Sequence, residues 1–108
     1  MELSFRTREL RLLCEDSVKA ESVYGSEVAD FLRRRLSDLY AARTVSDLVA
    51  GRPSFADDHG GELLVVISGS YEIRCRPNHV DLTRGPDGSI DWGRVHRIQI
   101  VSIGDGSQ

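Results

Sequence analysis

Asp57, Asp58 and His59 stand in a row immediately before Gly60 and Gly61, the one place in the chain where acid and base side chains cluster. An imidazole beside carboxylates can take up and return a proton, and the glycines would let a backbone or a ligand come close. The same five residues also spell an ordinary solvated turn, so both readings stand. A second group lies in Tyr71-Glu72-Ile73-Arg74-Cys75-Arg76. Strand periodicity puts Tyr71, Ile73 and Cys75 on one face and Glu72, Arg74 and Arg76 on the other. Arginine offers a planar fork of donors that matches a phosphate, whereas the Glu72 carboxylate would repel one. His79 follows Pro77-Asn78 in a predicted turn, and His96 stands alone near the start of the last strand. Neither has metal-ligand spacing, and with no Cys-x-x-Cys pair no metal or other cofactor is expected.

The elements that must position these groups can be read from periodicity. Leu63-Leu64-Val65-Val66-Ile67, the turn Ser68-Gly69-Ser70 and the alternating stretch from Tyr71 predict a β-hairpin. A turn-rich excursion over Arg84 to Asp91 then leads through Trp92-Gly93-Arg94-Val95-His96 to a last strand over Arg97 to Ile103. Upstream the chain reads as helical. A short edge strand is expected at Glu2 to Phe5, and Thr7 then caps a helix whose Leu10, Leu13, Cys14 and Val18 share one apolar face, ending at Gly25. A second helix starts at Ser26, with a stripe of Val28, Phe31, Leu32, Leu36, Leu39 and Tyr40. Arg33, Arg34 and Arg35 spread over about 200° of that helix, within i, i+3 and i, i+4 reach of Asp30 and Asp38, which favours a solvated face over a binding patch. A short helix over Ser46 to Ala50 ends at Gly51. The expected class is α+β: two N-terminal helices packed on one face of a small, mainly antiparallel sheet.

Size and composition narrow the function. At 108 residues the chain makes one domain, 1–108, that can bury roughly two-thirds of its unfolded surface. No apolar run approaches the ~18 residues of a membrane span, and the start Met1-Glu2-Leu3-Ser4-Phe5-Arg6 lacks the basic end and apolar core of a secretory signal, so no membrane role and a cytoplasmic location are expected. Cys14 and Cys75 are then expected as buried free thiols. A net charge of -3 argues against coating nucleic acid by bulk electrostatics and leaves that role to local patches. Lys19 is the one lysine among 14 basic residues, and a GC-rich genome explains the arginine excess as well as phosphate binding does.

Leu3-Ser4-Phe5 leading into a helix, Glu27-Val28-Ala29 opening a second, Ser46-Asp47-Leu48 before a glycine, Asp91-Trp92 followed by Val95, and Ile98, Ile100, Ile103 and Asp105 together resemble the RelE/ParE toxin superfamily. Within it the chain is most similar to the HigB-like plasmid maintenance system killer proteins. The likeness covers nearly the whole chain as a pattern of positions without one diagnostic motif. It implies two helices on one face of an antiparallel sheet whose concave face meets ribosome-bound mRNA. It also implies the toxin role of a type II toxin-antitoxin module, restrained by a cognate antitoxin of small helical or helix-turn-helix type. Such toxins are metal-independent endoribonucleases that need a base for the 2′-hydroxyl, cations for the phosphorane and an acid for the 5′-oxygen. The positions where the family places those groups read Pro53, Ala56, Glu72, Gly106 and Ser107. What the resemblance leaves as a catalytic set is His59, Asp105, Arg74 and Arg76. Two functions remain open: an altered endoribonuclease, or a non-catalytic binding protein of the same fold, such as a ParE-like gyrase inhibitor or a decayed toxin that only binds its antitoxin.

Overall fold

Local capping divides the first helical stretch in two. The computed structural model describes residues 1–56, 61–79 and 84–105. Strand β1 (Glu2–Phe5) leads into α1 (Arg8–Glu15), where the Thr7 hydroxyl accepts the Leu10 N–H at 3.1 Å. One continuous helix was expected as far as Gly25, but Asp16 leaves helical geometry at φ -110 and ψ 104. Its carboxylate accepts from the N–H groups of Val18 and Lys19 and so opens α2 (Ser17–Tyr24) as a separate helix. The break turns α2 relative to α1, and Val18, expected in the core, stands 74% exposed. Gly25, at φ 85, then admits α3 (Ser26–Ala41).

The core stripe of α3 is Ala29, Leu32, Leu36 and Leu39, all buried. Val28 and Phe31 pack beside it, and Tyr40, expected in the stripe, lies outside it at 54% exposure. Arg33 and Arg34 both pair with Asp30, and Arg35 pairs with Asp38, so this arginine run is an ion-paired helix surface. After α3, the expected helix over Ser46 to Ala50 is a single 3-10 turn over Val45–Asp47.

The remaining strands are β2 (Ser54–Ala56), β3 (Glu62–Ser68), β4 (Tyr71–Pro77) and β5 (Arg97–Asp105), the last preceded by a 3-10 turn at Trp92–Arg94. They form a five-stranded sheet in the order β1-β5-β4-β3-β2. Neighbours run antiparallel except β1, which lies parallel to β5 with Leu3 beside Ile98 and Phe5 beside Ile100. The hairpin turns at Gly69-Ser70, and Ser68 pairs with Tyr71. Leu63, Val65, Ile67, Ile73, Cys75, Ile98 and Ile100 point to the helices and join Leu32, Leu36 and Leu39 in one core. Burying a side chain of this size is worth about 1.5 to 3 kcal/mol, so this one face holds the α+β fold together. Among the described residues no helix is long and apolar enough to cross a membrane.

Candidate functional site: the open face of the sheet

With Ile73 and Cys75 committed to the core, Glu72, Arg74 and Arg76 must project from the opposite face of β4, as alternation requires. Register brings Ser102 beside Arg74, Gln99 beside Arg76 and Gly104 beside Glu72. A bulge between Arg74 and Cys75 keeps Ile100 and Ile103 both on the core side. This face is the surface on which the resemblance would place bound RNA.

The two arginines are not free there. Glu62, the first residue of β3, lies under both: Arg74 Nε is 3.1 Å from Glu62 Oε2, and Arg76 Nη2 donates to Glu62 Oε1 at 3.5 Å. Glu72 reaches Arg74 Nη2 at 3.8 Å. The Glu62 side chain is only 14% exposed, while the arginines are 45% and 46% exposed, so the carboxylate sits inside and the guanidinium groups cover it. Two cations and two anions make a patch of no net charge. Sequence reading missed Glu62 because it began the strand at Leu63, and alternation carried back one more residue puts Glu62 on the face of Leu64 and Val66.

Of the proposed catalytic set, the structure brings Arg74 and Arg76 onto one face. Asp105 ends β5, paired in register with Tyr71, and its side chain is outside the described part. His59, with Asp57 and Asp58, and likewise Gly106 and Ser107, lie outside the described residues. Pro53 precedes β2, and Ala56 pairs with Glu62 at the edge of the sheet. Beside Asp105, Tyr71 meets Tyr24 edge to face with ring centroids 5.8 Å apart. The Tyr24 hydroxyl donates to the Ile103 carbonyl, and burial raises its pKa first of all, so it stays protonated.

A second cluster sits at the β1 end of the same face, in a cavity of about 370 Å³ lined by Glu2, Leu3, Ser4, Asn78, His79 and Arg97. Asn78 donates to the Ser4 hydroxyl at 3.0 Å, and Arg97 pairs with Glu2 at 2.9 Å. His79 and His96, read as isolated, stack edge to face with ring centroids 4.5 Å apart. No spacing rule could have paired them, because sixteen residues of sequence separate two positions that only the β4–β5 register brings together.

Both thiols are chemically quiet. Burial, with Glu15 in second place, pushes Cys14 up to about 12, and burial does the same to Cys75. Cys75 is fully buried and Cys14 half-buried. No group of three or more His, Cys, Asp or Glu among the described residues could hold a metal ion. The open face can therefore offer paired charges, hydroxyls and amides to a partner. The chain matches no protein-family model, no curated protein and no solved structure.

Proposed function

We propose that this chain is a RelE/ParE-like, HigB-like protein of a type II toxin-antitoxin module that works by binding a partner rather than by cutting RNA. The observation that carries the reading is the clamp on Glu62. A phosphoryl-transfer site needs cations held ready for the charge that develops on the phosphorane, and Arg74 and Arg76 are already held by a carboxylate of the same face. To serve a phosphate they would first have to give up Glu62, whose side chain is only 14% exposed, and that carboxylate would then stand beside the phosphate as a like charge. The order of elements, with β1 and the helices first and the hairpin and β5 after them, supports the family resemblance. A patch with alternating charge and no net excess suits a protein partner, through matched ion pairs, better than a polyanion. The cognate antitoxin is the first such partner.

Expression of the chain in a host without its antitoxin, with primer extension on ribosome-bound transcripts, tests the reading. The expected result is an absence of discrete new 5′ ends, together with co-purification of the chain with its antitoxin when the two are expressed together. Discrete in-frame cuts that vanish on His59→Ala would overturn it and install His59 as the base.

A further inference from the structure

His79 is the most heavily used side chain at the β1 end of the sheet. Its Nε2 accepts two backbone N–H groups at once, from His96 at 3.2 Å and from Arg97 at 3.3 Å. Both donors are obligatory N–H groups, so Nε2 must carry a lone pair and the ring proton must sit on Nδ1. The peptide joining His96 to Arg97 is used on both sides, because the Arg97 N–H goes to His79 and the His96 carbonyl accepts the Glu2 N–H at 3.0 Å. The Arg97 carbonyl likewise accepts from the Asn78 N–H at 2.9 Å. One imidazole therefore ties the end of β4 to the start of β5, and through the His96–Arg97 peptide to the start of β1.

We propose that His79 is an acid-sensitive latch: neutral, it fastens the β1–β5 edge of the sheet, and protonated, it releases the first residues of both strands. A proton on Nε2 removes the acceptor from two donors and sets an N–H against two others. The charged groups facing His79 oppose that proton too. The His96 ring lies 4.5 Å away and Arg97 follows it in β5. Among the described residues Glu2, on β1, is the anion close by, and it is already held by Arg97; Asp81 lies outside the described residues. Asn78 and Ser4 are neutral. His96 Nδ1 faces the Arg94 carbonyl at 3.2 Å and so carries the hydrogen of that contact, while the Arg94 guanidinium is paired with Asp91.

The His79 pKa is accordingly held below its usual value, by loss of water first and then by His96 and Arg97. A histidine with a depressed folded pKa lends stability that is complete above about pH 6.5, its unfolded value, and is lost as pH falls through the folded value. The latch is thus closed at neutral pH and opens on acidification. It works whatever the sheet face binds.

The test is NMR on the full chain between pH 5 and 7.5, reading the ring nitrogens of His79 and the hydrogen-exchange protection factors of the His96 and Arg97 amides, corrected for intrinsic exchange. At pH 7.5 Nε2 should be the unprotonated nitrogen. Protection of both amides should then fall on the order of tenfold or more as His79 titrates, as expected for losing two backbone hydrogen bonds. His79→Gln keeps an acceptor without a titrating proton and should flatten that dependence. Protection that is equal at both pH values, a proton on Nε2 at pH 7.5, or the same pH dependence in His79→Gln would each overturn the latch. The ring-nitrogen reading on the unaltered protein decides the matter even if the variant does not fold.

Discussion

Arg74 reaches diagonally across the β3–β4 ladder to Glu62, past its own register partner Leu64, and Glu62 in turn holds Arg76 from below. Glu62→Gln should release both guanidinium groups and strengthen binding to a generic single-stranded RNA. Each freed arginine should steepen the dependence of log K on log salt by about 0.7. Folding stability should change by less than about 1 kcal/mol, since the arginine ends are exposed. An unchanged salt slope, measured by fluorescence anisotropy, would mean that the clamp does not restrain them.

Leu36→Ala should cost about 2 to 5 kcal/mol in chemical denaturation, because Leu36 is 6% exposed in the α3 stripe. Val18→Ala and Tyr40→Ala, at positions where the chain left the expected helical faces, should stay within about 0.5 kcal/mol. Equal losses at all three would contradict the break at Asp16 and the observed rotation of the helices.

Gly51→Ala and Gly69→Ala form a matched pair. Both glycines have positive φ, at 84° and 57°. A methyl group on Gly51 would meet Val65 Cγ1 at 2.5 Å and the Val66 carbonyl at 3.0 Å, whereas one on Gly69 meets nothing. The first change should therefore add overpacking of about 1 to 3 kcal/mol to the roughly 1 kcal/mol backbone strain that both share. Comparable denaturation midpoints for the two variants would show that the approach of the Gly51 segment to β3 is looser than described.

Thiol labelling reads the core directly. With both cysteines near 12 rather than the ordinary 9.0, the thiolate fraction at pH 8 is about a thousandfold lower than for a free thiol. Iodoacetamide should modify the native protein slowly at Cys14, and Cys75 should react only on global unfolding. Rapid labelling of Cys75 in the native state would mean that the β4–β5 ladder opens locally.

The hairpin, the last strand and the α3 stripe were legible because Leu63–Ile67 is a continuous apolar run bounded by turn residues, Tyr71–Arg76 alternates with period two, and Leu32, Leu36 and Leu39 follow the helical period of 3.6. The break at Asp16 was not, because a side chain that caps one helix while ending another leaves the apolar period almost intact. Arg74 and Arg76 could be placed on a face by alternation alone. Their pairing with Glu62 could not, since cross-strand neighbours depend on register, and the turn at Gly69-Ser70 decides that register. His79 and His96 carried no signal for the same reason.

The parallel seat of β1 beside β5 has a consequence for how the chain folds. Ser4, whose hydroxyl donates to the Ile98 carbonyl beside that ladder, is 94 positions from it in sequence. β1 thus finds its neighbour only after β5 has been made. Until then the hairpin can close on its own, but the outer edge of β4 stays bare and β1 has nothing to pair with. Closing so long a loop carries a high entropic cost, and topologies dominated by such contacts fold toward the slow end of the two-state range. Docking of β1 is then a late event. Leu3→Ala should speed unfolding while leaving the folding rate nearly unchanged. A chevron with the opposite split would place β1 in the nucleus, and β1 would no longer be the last strand seated.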